Sequence, residues 1–352
     1  MTPADRPQPK IVPGPRNLIT DVDGIRVGNA EDARVVTGVT VVVPETPCPA
    51  GVDVAGGAPG TRDTDALDPS CHVRRVDAIV LSGGSAFGLG AADGVMDWLA
   101  ARGRGFAVAN RVVPIVPSAI LFDLNSGGDK DWGATNPYRR LGAEAIAAAD
   151  ADGRSFALGN AGCGTGASAG RLKGGLGSAS AVTEDGIQVG AIVGVNAFGS
   201  TVMPGSPCFW AWYLEQAGEL GGQPLPTGPI GLEPESKYPL TYGANTTIAV
   251  VATNAGLDKA DCRRVALMAQ DGMARAIRPV HTPFDGDTVF CLATGRRPLS
   301  GDRAGLYRVG ALAADCLARA IARGVYHAEP AGGRPSYREL HGAALRGGQT
   351  DR

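Results

Sequence analysis

The sequence predicts an α/β protein in which mixed sheets are flanked by helices. Three features of the 352-residue chain lead to this class. Runs of β-branched and apolar residues recur at strand length, hairpin-like segments dominate the first half, and strands alternate with helical patterns after residue 245. A doubly wound dinucleotide-binding fold would show that alternation throughout, so a mixed sheet sandwiched by helices fits the sequence better.

Most of the elements predicted in the first half are strands. The segments that predict strands or strand pairs are 17–30, 37–45, the start of 76–103, 107–124 and 185–202. Helices are predicted after the glycine-rich turn within 76–103 and over 142–150. A second glycine-dense tract, residues 159–181, shows no regular pattern. The 52 glycines are therefore expected at turns and at close approaches of the backbone.

The second half is more regular. Its predicted order is strand 246–253, helix 258–277, strand 287–293 and helix 304–324. Asp258 is a suitable N-cap for the first of these helices, and Pro279 lies just past its end. Residues 204–245 are rich in proline and glycine, which indicates a functional, processed or disordered segment. The proline-rich residues 1–16 are predicted to be disordered.

Composition excludes several classes of protein. Apolar residues make up 44% of the chain and charged residues 19%, and the net charge of −2 gives no basic surface for nucleic acid. The N-terminal stretch has no apolar core of a signal peptide, and the apolar runs fall far short of the ~18 residues of a membrane span. The seven cysteines form no C-x-x-C pair. We therefore expect a cytoplasmic protein without membrane anchoring.

No cofactor or metal is expected from the sequence. The histidines are not spaced as paired metal ligands, and each is interpreted as structural or exposed. Ser82–Gly90 lies between a strand and a helix, but Phe87 stands where a nucleophile elbow needs its second glycine. Neither glycine-rich stretch has the spacing of a phosphate-binding loop.

Lys173 and an Asp-Gly-Asp turn are candidate site residues with open alternatives. Lys173 lies among small residues in a glycine-rich stretch, and the pattern leaves open a surface lysine or one that substrate approaches closely. Asp285 and Asp287 could bind a divalent cation, although the other oxygen ligands of a calcium loop are missing. They could also form an ordinary turn, or hold and orient a nearby amine.

Thr246 would supply such an amine if the bond between Asn245 and Thr246 were cut. A threonine at a new N-terminus carries nucleophile and base in one residue, because the neutral α-amine accepts the proton of the hydroxyl. The unperturbed α-amino pKa of about 7.7–8.0 suits base catalysis near neutral pH. A threonine that simply begins a strand is the alternative. The neighbouring Thr247 is predicted to point to the opposite face of that strand.

Several motifs occur in one consistent order between about residues 17 and 325. They read NLITDVDGIRVG, GGAPGTRDTDALDP, DAIVLSGGSAFGLGAADGV, VVPIVPSAILFDL, LKGGLGSAS, VNAFG, NTTIAVVATNA and RPVHTPFDGDTVFCLATG. In this set the chain resembles the DmpA-type family of L-aminopeptidase/D-esterase hydrolases, and its Asn-Thr-Thr junction is similar to that of nylon-oligomer endohydrolases. The resemblance implies an αββα sandwich, shared with ornithine acetyltransferases, as a single domain over residues 17–352.

The resemblance also implies that the chain cleaves itself between Asn245 and Thr246. The products would be an α chain, residues 1–245, and a β chain, residues 246–352, which stay together in a homotetramer of processed units. Members of the family resemble N-terminal nucleophile hydrolases in their chemistry. No metal or cofactor is implied.

The same resemblance assigns roles to individual residues. Lys173 and Asn196 match polar groups beside the nucleophile, and Asp285 and Asp287 match carboxylates near the new amine. Phe122 is a departure, because some members place there a tyrosine that helps to hold the oxyanion. In this chain Asn196, Lys173 or backbone N–H groups would have to do so.

The implied reaction is hydrolysis of an amide or ester bond through an acyl-enzyme on Thr246. The implied partner is a peptide or other small amide substrate, and a polyamide oligomer is one candidate. Two alternatives stay open at this point. An acyltransferase of the ornithine-acetyltransferase kind would pass the acyl group to an amine, and a non-catalytic protein could keep the fold for binding alone.

Overall fold

The computed structural model describes residues 11–231, 235–237, 245–299 and 303–347. The strands are β1 (Ile11–Val12), β2 (Ile25–Asp32), β3 (Thr37–Pro44), β4 (Ala50–Val54), β5 (Thr61–Arg62), β6 (Ile79–Ser82), β7 (Phe106–Val108), β8 (Arg111–Val113), β9 (Ser118–Ile120), β10 (Ser168–Ala169), β11 (Leu172–Lys173), β12 (Gly175–Thr183), β13 (Gln188–Asn196), β14 (Thr246–Ala255) and β15 (Thr288–Arg297). The helices are α1 (Ala91–Ala100), α2 (Tyr138–Ala151), α3 (Lys259–Ala276), α4 (Arg303–Tyr326) and α5 (Tyr337–Gly347).

Two mixed sheets form the centre of the molecule. The larger has the order β1-β12-β13-β14-β15-β4, and only β14 and β15 run parallel in it. The smaller has the order β2-β3-β6-β9-β5, with β6 and β9 parallel. Two short hairpins, β7-β8 and β10-β11, complete the strands. The expectation of mixed rather than all-parallel sheets is confirmed.

Alternation along the strands defines four layers. Ala249 and Val251 of β14 pack in a core with α3 and α4, whereas Ile248 and Val250 pack in a core between the two sheets. A third core lies between the smaller sheet and helices α1 and α2. The order of layers is therefore helix, sheet, sheet, helix, and the predicted αββα sandwich is confirmed.

The elements of the second half follow their sequence signals. Strand β14, helix α3, strand β15 and helix α4 each coincide with a predicted element to within a few residues. Asp258 caps α3 as predicted, because its side chain accepts a hydrogen bond from the backbone N–H of Asp261 at 2.8 Å. These elements place Thr246 at the first position of a central strand.

The glycine-dense tract is more regular than its sequence suggests. It contains β10, β11 and the nine-residue strand β12, which pairs with β13 along its whole length. Glycine is needed here because a Cβ on Gly177 would lie 1.8 Å from the carbonyl oxygen of Ala320 in α4. The strand thus lets the helix backbone approach closely, and periodicity alone could not reveal it because glycines carry no side-chain pattern.

The prediction of disorder over residues 1–16 extends too far. Ile11 and Val12 pair with Val182 and Thr183 at the edge of the larger sheet. The backbone N–H of Gly14 then donates to the hydroxyl of Ser180 at 3.1 Å. These partners order a proline-rich segment that has little helix or strand propensity of its own. Residues 1–10 lie outside the described residues.

The described chain shows neither a membrane helix nor a disulfide. No helix among the described residues combines the length and apolarity needed to cross a bilayer. All seven cysteines are free thiols, and six of them are buried.

Candidate active site

Thr246 lies at one end of the space between the two sheets. It is the register partner of Asn196, the last residue of β13, so the two side chains share the face that Ile248 also uses. Thr247 belongs to the opposite face, as alternation predicts. Thr246 is only 2% exposed. The nucleophile predicted from the sequence is thus buried at the mouth of the inter-sheet core.

The Thr246 hydroxyl lies against the peptide bond that joins Asn245 to Thr246. The Thr246 hydroxyl donates a short hydrogen bond to the carbonyl oxygen of Asn245. The same oxygen accepts the backbone N–H of Gly286 at 3.2 Å. A Cβ on Gly286 would lie 2.8 Å from the Thr246 hydroxyl oxygen, so only glycine brings this N–H to the carbonyl without crowding the hydroxyl.

Asp285 and Asp287 flank this peptide bond. Asp287 accepts the backbone N–H of Thr247 at 2.8 Å, and Asp285 accepts those of Phe198 at 3.1 Å and Thr282 at 3.1 Å. Burial, followed by the charge of Asp287, raises the pKa of Asp285. Both carboxylates are 1% exposed. Asp285 also forms a backbone bridge with Asn245, the residue before Thr246. The turn therefore gathers negative charge where a new amine would appear.

Asn196 is held in one orientation by its neighbours. Its side-chain oxygen accepts the backbone N–H of Ser168 at 3.0 Å and the Nζ of Lys237 at 3.1 Å. Its Nδ2 donates to the carbonyl oxygen of Phe122 at 2.9 Å. Because two donors meet Oδ1, the orientation of this amide is fixed, with the side-chain nitrogen at its donor end. Phe122, the departure noted in the sequence, contributes this carbonyl rather than a hydroxyl.

Lys173 is fully buried, so the surface-lysine alternative is wrong. It pairs with Ser168 in the β10-β11 hairpin, and the backbone N–H of Ser168 donates to the side chain of Asn196. Its Nζ donates to the carbonyls of Gly164 at 2.9 Å and Gly174 at 2.8 Å. Burial lowers the pKa of Lys173 to about 7, with Asp123 acting against the shift. Burial thus brings the pKa of Lys173 close to neutral pH.

Lys237 and His281 join the site without any signal in the sequence that singled them out. Burial lowers the pKa of Lys237 to about 7, and Arg334 adds to that effect. The Nδ1 of His281 lies 2.8 Å from Asp287, whose carboxylate it orients. Lys237 stands in an aperiodic proline-rich stretch, and only the three-dimensional contact with Asn196 reveals it. From the sequence His281 is interpreted as structural or exposed, and no motif there links it to Asp287.

Asp285 and Asp287 are engaged by several hydrogen-bond donors. No cluster of metal-ligating side chains occurs within residues 11–231, 235–237, 245–299 and 303–347. Asp285 and Asp287 instead accept backbone N–H groups, a hydroxyl and an imidazole. The interpretation in which these carboxylates hold and orient an amine stays a prediction.

The fold and the comparison with family models together define the class of this protein, the hydrolases. A family model described as "Peptidase family S58" matches residues 17–338, and the chain belongs to that family. It is a hydrolase from a family of aminopeptidases, which confirms the resemblance drawn from the motifs.

Relatives span nearly the whole chain. A protein of Mycobacterium tuberculosis (strain ATCC 25618 / H37Rv), described as an uncharacterized aminopeptidase, is 48% identical over 352 residues, which cover 94% of this chain and 99% of the relative. A 6-aminohexanoate-oligomer endohydrolase of Paenarthrobacter ureafaciens is 29% identical over 331 residues, covering 88% of this chain and 84% of the relative.

Solved structures show the same fold. A Burkholderia sp. beta-aminopeptidase superposes with a TM-score of 0.68 at 26% identity, covering 96% of this chain and 94% of that one. The L-aminopeptidase D-Ala-esterase/amidase of Ochrobactrum anthropi, whose title describes a variant of the Ntn hydrolase fold, gives 0.67 at 22% identity and covers 96% and 95%. The second likeness concerns the fold alone.

Proposed function

We propose that the chain is a self-processing amide hydrolase that uses Thr246 as an N-terminal nucleophile. The observation that carries the proposal is the contact of the Thr246 hydroxyl with the Asn245 carbonyl, whose oxygen also receives the Gly286 N–H. The Thr246 hydroxyl is held beside the carbonyl group that it would attack, and the Gly286 N–H donates to the oxygen that would become negative. Both features favour acyl transfer.

Processing is an N-to-O acyl shift followed by hydrolysis. The Thr246 oxygen bonds to the Asn245 carbonyl carbon, the C–N bond breaks, and the hydroxyl proton ends on the departing nitrogen. Water then cleaves the resulting ester, which leaves residues 1–245 with a carboxylate and Thr246 with a free amine. The two chains of the proposed mature enzyme are residues 1–245 and 246–352.

Turnover repeats this chemistry on a substrate. The amine of Thr246 takes the hydroxyl proton as the oxygen attacks an amide carbonyl, and the leaving amine receives a proton as the acyl-enzyme forms. The Nδ2 of Asn196 and the charge of Lys173 stabilise the oxyanion, while Asp285 and Asp287 position the amine. Water releases the acyl group. The substrate is a peptide or other small amide, and no cofactor takes part.

Mass spectrometry and N-terminal sequencing of purified protein test the proposal. We expect two fragments that co-purify, with Thr-Thr-Ile-Ala-Val at the start of the smaller one. Thr246→Ala removes the attacking oxygen and should leave the chain uncut and inactive. Thr246→Ser keeps that oxygen and should retain processing.

Thr247→Val is the matched control, because Thr247 is adjacent but belongs to the opposite face of β14. It should be processed and active, with any cost confined to stability. An intact chain that hydrolyses amides at full rate, or an active Thr246→Ala, would show that the nucleophile lies elsewhere.

Assembly and location belong to the same proposal. We expect processed units to associate as a homotetramer in the cytoplasm. Analytical ultracentrifugation of the processed enzyme checks the first expectation, and fractionation of the producing cells checks the second. A processed enzyme that sediments as a single αβ unit at micromolar concentration contradicts the tetramer.

A further inference from the structure

A small polar cavity opens beside Lys173. Its walls include Lys173, Ser168, Thr165, Ser126, Asn125 and Arg334. Ser168 connects the cavity to the nucleophile, because its backbone N–H donates to Asn196, and Asn196 is the register partner of Thr246. Two residues, Ser168 and Asn196, therefore link the cavity to Thr246. Neither the sequence motifs nor the mechanism above assigns it a role.

The cavity is lined by positive charge without a matching carboxylate. Lys173 and Arg334 both face it, and no acidic residue in the described part of the chain lines it. The half-buried guanidinium of Arg334 makes no ion pair or hydrogen bond with any described residue. Lys237 lies close behind, since Arg334 and Lys173 both lower its pKa. Two cations, Lys173 and Arg334, thus line one small space, with Lys237 near both of them.

Asp123, the nearest acid to Lys173, is already engaged. It lies behind Gly166, where its oxygens accept the hydroxyl of Thr37 at 2.5 Å and the backbone N–H of Gly84 at 2.7 Å. Burial raises the pKa of Asp123. Its carboxyl group is thus held by partners behind the wall and is not part of the cavity lining.

Arg334 is held in place by the backbone on both sides. Ala331 and Arg334 exchange two backbone hydrogen bonds across a tight turn, at 3.2 and 3.0 Å. Gly332 in that turn has φ +60°, and a Cβ there would lie 2.4 Å from the carbonyl of Ser126. The next residue, Pro335, accepts the N–H of Lys173 at 2.8 Å. The backbone that carries the Arg334 side chain is therefore fixed at the edge of the cavity.

We infer that this cavity binds a carboxylate of the substrate, with Arg334 as the residue that recognises it. The inference rests on the proposed function and narrows its substrate class to amides that carry a negative charge near the scissile bond. A planar guanidinium meets a carboxylate through two parallel hydrogen bonds, and hydroxyl and amide groups on the wall can meet the remaining lone pairs. Arg334 is a specificity-determining residue in this scheme.

The carboxylate could belong to either side of the scissile amide. It could be the acid side chain of the acyl part or the free carboxyl terminus of the leaving part. Two matched pairs of substrates distinguish these sources, because each pair differs only by a carboxamide in place of the carboxylate. The pairs are L-aspartyl against L-asparaginyl p-nitroanilide, and L-alanyl-L-alanine against L-alanyl-L-alaninamide.

The experiment measures kcat/KM for the four compounds with the wild-type, Arg334→Gln and Arg334→Lys enzymes, after confirming processing by mass. In at least one pair we expect the wild-type enzyme to prefer the carboxylate by about 10-fold or more. Arg334→Gln should abolish that preference while the rate on the carboxamide twin changes little. Arg334→Lys keeps the charge without the planar fork and should give an intermediate ratio.

Arg338→Gln is the matched control, since Arg338 is an exposed arginine four residues away that pairs with Glu329. It should keep the wild-type ratio. Equal rates within both pairs for the wild-type enzyme, or a preference that survives Arg334→Gln, overturn the inference even though hydrolysis is observed. Failure to hydrolyse any amide, together with an uncut chain, would instead count against the proposed function.

Discussion

At the scale of single residues, the site combines groups that sequence patterns indicate with groups that only the fold brings in. Thr246, Asn196, Asp285 and Asp287 could be predicted because they lie in motifs shared with a family, and the structure brings them around one peptide bond. Lys173 could be named but not placed, since a glycine-flanked lysine has no periodicity that indicates burial. Further contributors such as Lys237 depend on contacts between distant segments, which a single sequence does not encode locally.

The two buried lysines predict how stability depends on pH. The pKa of Lys173 and that of Lys237 are each lowered to about 7 from an ordinary value near 10.5, so between these pH values the unfolded chain binds more protons than the folded one. Stability should therefore rise as pH increases from about 7 to 10, by at most about 1.4 kcal/mol per pH unit for each lysine. Below about pH 7 both states bind these protons, so the slope vanishes and the full cost of burying the charged amines remains.

Urea unfolding of the uncut Thr246→Ala chain at several pH values between 7 and 10 measures this slope. Replacing Lys173 with methionine should reduce it, because one titrating group is removed. The matched control is Arg171→Met, which removes an exposed neighbouring cation. An unchanged slope in Lys173→Met would mean that Lys173 keeps its charge in the folded state.

At the scale of elements, predictions succeed where side chains carry the pattern and fail where glycine does. Helix α3 was recognisable from its Asp258 cap and its apolar periodicity. Strand β12 was not, because its alternate positions are glycine and serine rather than branched apolar residues. Small residues give such a strand no hydrophobic pattern, but they allow α4 to lie directly on the strand backbone.

Gly177→Ala tests this packing. The added methyl group would collide with the Ala320 carbonyl oxygen, so we expect a loss of unfolding free energy of about 1–3 kcal/mol or more. Gly90→Ala is the control, because Gly90 has φ −64° and no atom near a Cβ, and it should be neutral or stabilising by up to about 1 kcal/mol. Equal stability of the two variants, measured by urea unfolding, would show that β12 and α4 can move apart freely.

At the scale of the whole molecule, the proposed cut divides the larger sheet between two chains. Strand β13 would belong to the first chain and its neighbour β14 to the second, with eight register pairs joining them. A buried ion pair adds to this junction, because Glu219 contacts Arg319 at 2.6 Å and Arg323 at 3.5 Å. The two chains should therefore stay together after cleavage.

Glu219→Gln tests the contribution of that ion pair. Removing one partner leaves two buried guanidinium groups without their carboxylate, so we expect a loss of about 3–5 kcal/mol and easier separation of the fragments. Because unfolding of a cut molecule is also a dissociation, the Tm of the processed enzyme should rise with protein concentration, and more visibly in this variant. Glu144→Gln, which breaks an exposed pair with Arg140, is the control and should change the Tm little. A concentration-independent Tm for the processed variant would contradict the expectation.

The position of Thr246 at the head of β14 has a consequence for the entropy of catalysis. A nucleophile on a mobile loop must lose its freedom at each turnover, whereas Thr246, the proposed nucleophile, is fixed by a ten-residue strand that is paired on both sides. That ordering cost is met once, during folding, so the hydroxyl can act at the high effective molarity of an intramolecular group. The strand therefore holds the hydroxyl of the proposed nucleophile in a fixed position. Mutations that loosen the pairing of β14 should lower kcat before they lower affinity for the substrate.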